Sequence, residues 1–244
     1  MDIRKLLKGA AAMTRLCWEA DLKRNTALRA ALLHYLIWTL RKKPIQVAFP
    51  YSNRLWGLAF WFRQLWAESL GKARRRDGEL IHTGQTPVAA LGTTDQHSQV
   101  QLYMEGPNDK VFTFWAVRKF DAAGKIPRTK LALEAFDSLG GRSLEELLEA
   151  ERASTAAALA ENGRPNCTFT LDRVDEEHLG AFLQLMEFET AFMGELLNIN
   201  AFDQEGVELG KRFTFGLMGR KGYEAYRARF AEYEKKRRAA GTDR

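Results

Sequence analysis

Cysteine is scarce in this sequence, which has only Cys17 and Cys167 among its 244 residues. The two thiols are not in a CxxC spacing, and they are too few for the disulfide framework of a small secreted domain. The amino-terminal stretch "MDIRKLLKGAAAMTR" also lacks the apolar centre of a signal peptide. The sequence therefore predicts a protein of the reducing cytoplasm.

Long apolar runs are absent as well. The longest, "AALLHYLIW" at residues 30–38, is interrupted by His34 and is shorter than the stretch of about 20 residues that crosses a bilayer. A length of 244 residues and an apolar content of 45% are instead typical of one large α/β domain with its own core. We expect a soluble chain without a membrane partner.

Several motifs of cofactor chemistry are also missing. The sequence has no GxxxxGK[ST] or GxGxxG loop for nucleotides, no HExxH, no cysteine–histidine cluster with zinc spacing and no GxSxG elbow. These absences predict acid/base chemistry on a polar substrate, with neither a metal nor an organic cofactor.

The chain carries a formal net charge of +6, with basic runs at residues 41–43, 72–76 and 235–238. Such runs are usually the solvated ends of helices, but they also attract anionic ligands such as phosphosugars or nucleic acid. No fingerprint of a nucleic-acid-binding fold accompanies them, so nucleic acid is the weaker hypothesis.

Apolar periodicity divides the chain into alternating helices and strands. Asn25 or Thr26 suits the start of the second helix, and Ser52 or Asn53 the start of the third. Residues 73–85 are interpreted as a polar loop, and "TKLALEAF" (129–136) favours a turn or two of helix. The pattern predicts helices at residues 3–22, 25–43, 52–72, 143–163 and 175–199, another beginning at 203, and strands at 45–51, 86–92, 110–120 and 166–174.

This alternation predicts an α/β fold, with a doubly wound, mostly parallel sheet flanked by helices. We expect one domain over residues 1–220 and a basic helical tail over residues 221–244. Ligands of such sheets bind at the carboxyl ends of the strands. The polar turn "GTTDQH" at residues 92–97 follows a predicted strand and is therefore a candidate site.

This turn contains His97, and histidine is the natural acid/base group near neutral pH. The pattern fits equally well a histidine at a helix start, bonded to the side chain of Asp95 or Thr94. The remaining histidines are weaker candidates, one in an apolar helix, one after a basic loop and one in an acidic first turn: His34, His82 and His178.

A second candidate lies in the predicted helix 52–72, where Gln64 and Glu68 are four residues apart and project from one face. Aromatic residues surround them in the sequence, and a carboxylate among aromatic rings has a raised pKa that suits proton transfer. The alternative is a solvent-facing glutamate near the end of a buried helix, and this stretch alone favours that alternative.

The third candidate is "AFDQEGVELGK", in which Asp203 can cap a helix and Gln204, Glu208 and Lys211 share a face. A glutamine and a lysine presented together can hold the oxygens of a polar ligand. The alternative is a surface pair of Glu208 and Lys211 that contributes about 0.2–0.5 kcal/mol.

The same stretch contains Gly206 and Gly210. Each glycine weakens a helix by about 1 kcal/mol relative to alanine. Two such glycines at one helix start suggest the close approach of another backbone or of a ligand.

Three stretches together resemble one family. "FRQLWAESLGK" (62–72), "LGTTDQHSQVQLYMEGPND" (91–109) and "NINAFDQEGVELGK" (198–211) are similar to the carboxyl-terminal half of glucose-6-phosphate isomerase, in the family's order. The last closely matches the family's diagnostic Phe-Asp-Gln turn followed by Gly-Val-Glu and a lysine. The resemblance covers nearly the whole chain and implies a sheet of the sugar-isomerase type and aldose–ketose isomerisation of hexose 6-phosphates in glycolysis and gluconeogenesis, without a cofactor.

The resemblance assigns a role to each candidate. Glu68 matches the catalytic base that moves a proton between C2 and C1 of the open sugar through a cis-enediol, and Gln64 matches a substrate-contacting glutamine. His97 matches the histidine of ring opening, which in the family reaches into the neighbouring subunit of a dimer. Lys211 matches a lysine that assists ring opening, and Gln204 a glutamine at the phosphate end of the substrate.

The chain also departs from the family. Family members are much longer, because an amino-terminal subdomain supplies a Ser/Thr-rich phosphate loop and a Gly-Gly-Arg segment supplies an arginine that steadies the enediolate. "LGGRSLEE" at residues 139–146 follows the histidine motif, so Arg142 does not match that arginine. We therefore expect an incomplete form with little activity alone, which works as a homodimer or with a complementing amino-terminal half.

Two other functions compete with an isomerase. One is a non-catalytic module that binds sugar phosphates, although the joint retention of Glu68, His97 and Lys211 argues against a pure binder. The other is a nucleic-acid-binding protein, for which steep salt-dependent binding would be the sign.

Overall fold

The structure, a computed structural model, describes residues 1–121, 124–128 and 137–241. The helical turn predicted for "TKLALEAF" (129–136) lies outside these residues. No helix in the described part is both long and apolar enough to cross a bilayer. The described α-helices are α1 (Ile3–Cys17), α2 (Thr26–Arg41), α3 (Trp56–Leu70), α4 (Val100–Glu105), α5 (Leu144–Glu161), α6 (Glu176–Leu196), α7 (Glu208–Leu217) and α8 (Glu224–Ala239). The strands are β1 (Ile45–Pro50), β2 (Lys72–Arg74), β3 (Leu80–Thr83), β4 (Thr86–Ala89), β5 (Lys110–Val117) and β6 (Asn166–Leu171).

Four strands form a parallel sheet in the order β4-β1-β5-β6. The chain runs from β1 to one neighbour, β4, and then crosses to the other side of β1 to form β5. Every residue of β5 is buried, as expected for a central strand of a parallel sheet with both faces covered. The predicted α/β fold with a parallel sheet flanked by helices is confirmed.

Alternate residues of the central strands pack on opposite sides of this sheet. Ala48 and Trp115 belong to a core cluster with residues of α2, α3 and α6. Val47 and Phe114 belong to a second cluster that includes Leu159 of α5. Because successive side chains of a strand point to opposite faces, the sheet has a separate apolar core on each face.

Of the caps predicted for α2 and α3, one is present in the structure and one is not. The side chain of Asn25 accepts a hydrogen bond from the amide of Leu28 at 2.9 Å, so the predicted cap of α2 is confirmed. The predicted cap of α3 by Ser52 or Asn53 is wrong. A 3₁₀ turn at Asn53–Leu55 displaces the helix start to Trp56, and Leu55 holds the N-cap position without a side-chain bond.

The interpretation of residues 73–85 as a loop is also wrong. β2 and β3 pair there as an antiparallel hairpin with an irregularity between Lys72 and Arg74. Its strands are short and largely exposed, and its residues are mostly polar or charged. Ile81 packs against the first core, but the strands are too short for the sequence to carry much of the alternation that predicts a strand.

Helices α1 and α6 cross at a pair of glycines. A Cβ atom added to Gly9 would lie 1.8 Å from the carbonyl oxygen of Glu177, and one added to Gly180 would lie 1.9 Å from that of Leu6. Each glycine therefore faces the backbone of the other helix. The Lys8 ammonium also pairs with the Glu177 carboxylate at 2.9 Å beside the crossing. The "LLKGAAAM" pattern of the first helix is thus that of a close helix contact.

A hydrogen-bonded histidine–glutamate pair lies inside the first core. Nδ1 of His34 in α2 is 2.6 Å from Oε1 of Glu189 in α6, and the two residues are only 2% and 1% exposed. Nε2 of His34 lies 3.3 Å from the hydroxyl of Thr113 in β5, which also accepts a hydrogen bond from the Gln46 amide at 2.9 Å. His34 was predicted to be a core residue, and its burial confirms this.

The chain divides into two compact units, Met1–Ala201 and Phe202–Arg244. In the second unit, α7 and α8 pack against each other through aromatic rings. Phe213 lies 5.7 Å from Phe230 between ring centroids, and the Arg229 guanidinium stacks on Phe213. Gly216 allows this packing, because an added Cβ would lie 2.8 Å from the backbone of α8 at Arg227.

Candidate functional site

The polar turn lies just after β4, as predicted. Its residues form a 3₁₀ turn at Thr94–Gln96, and α4 begins only at Val100, so the motif precedes the helix instead of opening it. His97 closes the turn through its amide, which donates to the carbonyl of Thr94 at 3.2 Å. The imidazole is exposed, and none of the described residues forms a hydrogen bond with it. The alternative partners considered for it, the side chains of Asp95 and Thr94, are therefore not used.

Asp95 holds the turn together from within. Its carboxylate accepts hydrogen bonds from the amide of Leu91 at 2.6 Å and from the hydroxyl of Ser98 at 2.5 Å. Burial by itself would raise the pKa of Asp95, but the hydrogen bonds from Ser98, Leu91 and Gln99 outweigh it and hold the pKa below its ordinary value. The ionised carboxylate is thus the form that this turn requires.

We expect the turn to loosen in acid. Because the folded pKa of Asp95 is lowered, its contribution is fully present above the unfolded pKa of about 3.9 and is lost as the pH falls through the folded value. Amide-exchange protection of Leu91 should therefore fall in the wild type below about pH 4. An Asp95→Asn variant should show low protection at every pH. Identical pH profiles for the two proteins would contradict this assignment.

Gln96 fastens the turn to two other elements. Its Nε2 donates to the hydroxyl of Tyr51 at 2.8 Å, to the hydroxyl of Thr155 at 2.5 Å and to the carbonyl of Glu151 at 3.2 Å. Tyr51 follows β1, whereas Thr155 and Glu151 are in α5. No local sequence pattern marks Gln96 as important, since its partners are 45 to 59 residues away along the chain.

Gln64 and Glu68 share one face of α3, as their spacing predicts, and Nε2 of Gln64 lies 3.4 Å from Oε1 of Glu68. Both residues are exposed. The neighbouring Phe62 and Trp66 point to the buried side of the helix, where their exposed fractions are 1% and 0%. These two rings therefore do not surround Glu68, and its exposure matches the alternative of a solvent-facing glutamate.

The third candidate stretch is in the second unit. Nζ of Lys211 lies 2.8 Å from Oε1 of Glu208, so the surface pair considered in the sequence analysis is present. The hydrogen bond from Lys211 lowers the pKa of Glu208. Asp203 does not occupy an N-cap position, because Gln204 precedes the 3₁₀ turn at Glu205–Val207 and α7 begins at Glu208.

Gly206 and Gly210 have open space around them. A Cβ added at either position would meet no heavy atom within 4 Å of the described structure. The backbone approach that these glycines suggested is therefore not made by the described residues, and a ligand or a second chain is what remains of that hypothesis.

The other histidines are engaged elsewhere or lie apart from the turn. His34 is in the buried pair with Glu189, and Nδ1 of His178 lies 2.6 Å from the carboxylate of Asp175, which caps α6. His82 is on the hairpin strand β3. In the described part of the chain, no group of three or more His, Cys, Asp or Glu side chains is arranged to hold a metal ion.

A family model and individual relatives both show similarity to known proteins. A family model described as phosphoglucose isomerase matches residues 1–224. The chain is 44% identical over 238 residues to glucose-6-phosphate isomerase of Carboxydothermus hydrogenoformans, a match that covers 98% of this chain and 51% of that protein. A second such enzyme, from Rubrobacter xylanophilus, is 44% identical over 225 residues, or 92% of this chain and 50% of its own length.

A solved structure is also similar. The crystal structure of a hypothetical protein, TT0462 from Thermus thermophilus, superimposes with a TM-score of 0.81 at 40% identity, over 89% of this chain and 51% of that one. The chain thus spans about half the length of the relatives that it matches.

Proposed function

Because the chain belongs to the phosphoglucose isomerase family, we propose that it contributes the acid/base half of a site that interconverts glucose 6-phosphate and fructose 6-phosphate. The observation that carries this proposal is the family match over residues 1–224, which includes all five candidate site residues. The place of this reaction is glycolysis and gluconeogenesis, in the cytoplasm.

Each residue has a proposed task. Glu68 removes the proton from C2 of the open-chain aldose, which forms a cis-enediol once O1 is protonated. It then returns the proton to C1 as the hydroxyl on C2 loses its own proton and becomes the ketone. Gln64, within 3.4 Å of Glu68, contacts the substrate and orients the carboxylate. His97 and Lys211 exchange protons with the ring oxygen and the anomeric hydroxyl during ring opening. Gln204 contacts the phosphate end of the sugar.

The surroundings of Glu68 support a second contributor to this site. An exposed carboxylate is solvated, whereas a general base works best in a site from which water is excluded. The described part of the chain leaves Glu68 open to water. We propose that a complementing amino-terminal half, or the neighbouring subunit of a homodimer, provides the cover, the phosphate contacts and the missing positive charge.

The exposed face of α2 fits the same proposal. Leu33, Leu36 and Leu40 follow helical spacing and are 49%, 38% and 72% exposed. A continuous apolar stripe on a helix surface is typical of a protein–protein contact. Its burial by the second contributor would remove this surface from water, which supports an assembly instead of an isolated chain.

The test is a complementation assay. We expect the purified 244-residue chain to convert fructose 6-phosphate at least about 10²–10³-fold more slowly than its mixture with the amino-terminal half of the Carboxydothermus hydrogenoformans enzyme. In the mixture, Glu68→Gln should abolish turnover, because an amide cannot accept the C2 proton. Glu161→Gln, at an exposed position at the end of α5, is the matched control and should leave turnover unchanged.

Two results would overturn the proposal. Near-normal turnover by the chain alone, in a form that sedimentation shows to be monomeric, would show that no second contributor is required. Tight binding of fructose 6-phosphate by a correctly assembled mixture without turnover would instead favour a non-catalytic module that binds sugar phosphates.

A further inference from the structure

We infer that Gln96 is a positioning residue, which holds the His97 turn in place by joining it to the end of β1 and to α5. This inference rests on the proposed function, since it takes the ring-opening role of His97 as its purpose. It assigns no contact between Gln96 and the substrate. Gln96 acts through the backbone of the turn, and the imidazole of His97 is the group whose position it sets.

The need for such an anchor follows from the surroundings of His97. The imidazole is exposed and receives no hydrogen bond from any described residue. Its position is therefore determined by the backbone of the turn and by the rotamers of His97 itself. A misplacement of about 1 Å at a reacting group can lower the rate about 10²-fold. A histidine on a surface turn therefore needs a turn whose backbone is held rigidly.

Gln96 supplies that rigid support because its side-chain amide lies within hydrogen-bond distance of three oxygens. The two N–H groups of Nε2 are shared among oxygens of Tyr51, Thr155 and Glu151, which come from the end of β1 and from α5. Tyr51 is 2% exposed, so its hydroxyl depends on protein partners. Burial raises the pKa of Tyr51 and keeps the phenol neutral, as a hydrogen-bonding group should be.

The ring of Tyr51 also supports the start of the turn. A Cβ added to Gly92 would lie 2.5 Å from that ring, so the glycine rests directly on its face. The amide of Gly92 donates to the carbonyl of Pro50 at 2.9 Å. Both ends of the turn are thus fixed to Tyr51, at Gly92 by packing and at Gln96 by a hydrogen bond.

The variants separate the amide from the shape of the side chain. Gln96→Met keeps the length of the side chain and removes the two N–H groups that the three oxygens share. Thr155→Val removes one acceptor, and Thr155→Ser keeps it and should restore the wild-type behaviour. Gln101→Met makes the same chemical change at an exposed position in α4 and is the matched control.

The first measurement needs no activity. In the 244-residue chain, NMR relaxation of the His97 imidazole, assigned by its loss in His97→Gln, should show greater motion in Gln96→Met. Amide exchange over residues 92–97 should accelerate on the order of 10-fold, and Gln101→Met should match the wild type. Unchanged His97 motion in Gln96→Met would overturn the inference.

The second measurement separates positioning from general damage. In the complemented enzyme, Gln96→Met should lower kcat on fructose 6-phosphate by about 10- to 100-fold with little change in KM. 5-Deoxyfructose 6-phosphate cannot close a ring, because the hydroxyl that would form it is missing. Its C1 proton exchange with solvent should proceed at the wild-type rate in Gln96→Met. Equal losses on both substrates would mean a merely structural role, which would overturn the inference.

The two failures can be told apart. If the proposed function is wrong, the wild-type mixture turns over neither substrate, and the NMR result alone decides whether Gln96 fixes His97. If only the inference is wrong, the wild-type mixture is active and sensitive to Glu68→Gln, whereas Gln96→Met behaves like Gln101→Met.

Discussion

Replacing Gly9 by alanine should lower the free energy of unfolding by about 1–3 kcal/mol or more, or detach α1 from α6. The added methyl group would lie 1.8 Å from the carbonyl oxygen of Glu177, which is a backbone atom of a long, packed helix. A flexible side chain could rotate away, but this carbonyl belongs to the backbone of α6. The helices would have to separate along their whole contact, and Lys8 would lose its ion pair with Glu177.

The control for Gly9→Ala is the same substitution at Gly57 in α3. An added Cβ meets no heavy atom of the described residues within 4 Å there, so Gly57→Ala should stabilise the chain by about 0.5–1 kcal/mol through helix propensity alone. Chemical denaturation of both variants and of Gly180→Ala gives the comparison. Equal small effects at Gly9 and Gly57 would show that the two helices are not in close contact.

Replacing His34 by leucine should destabilise the chain by about 3–5 kcal/mol, because it leaves Glu189 buried without its partner. The carboxylate is 1% exposed, and its second oxygen, Oε2, already has no hydrogen-bond partner among the described residues. Loss of the contact at 2.6 Å would leave both oxygens unsatisfied. Thermal or chemical denaturation measures the loss directly.

Two controls sharpen this result. Glu189→Met combined with His34→Leu removes both polar groups and should recover most of the lost stability, since a buried polar pair is often no better than apolar residues of similar volume. Arg118→Met breaks the exposed pair between Arg118 and Asp172, which is 2.7 Å long, and should cost no more than about 1 kcal/mol. A double variant as unstable as His34→Leu would mean that packing, and not the unpaired carboxyl group, is responsible.

Local signals in the sequence predicted most of the fold. Strong apolar patterns and the cap at Asn25 placed the helices and the parallel strands, because these depend on residues a few positions apart. The hairpin at Lys72–Thr83 was missed, because its strands pair largely through backbone groups on an exposed surface. Ser52 was misassigned as the cap of α3, because it precedes a 3₁₀ turn at Asn53–Leu55, which the sequence pattern did not separate from the helix.

The side-chain contacts that the sequence did not predict join residues far apart along the chain. His34 was recognised as a core residue, but its acidic partner is 155 positions away, and nothing near His34 marks Glu189 as that partner. The three acceptors around Gln96 are similarly distant. The surroundings of Glu68 were misjudged for a different reason. Phe62 and Trp66 lie on the buried side of α3, away from Glu68, and side chains two positions apart on a helix do not meet.

The contact between α1 and α6 also sets the order in which the chain can fold during synthesis. Lys8 and Glu177 are separated by 169 residues, so α1 leaves the ribosome long before its docking surface exists. At typical translation rates of 5–20 residues per second, the delay is roughly 8–34 s. Throughout that interval, the first helix must wait with Met13 and Cys17 outside the core that later covers them, as a nascent segment that chaperones can bind.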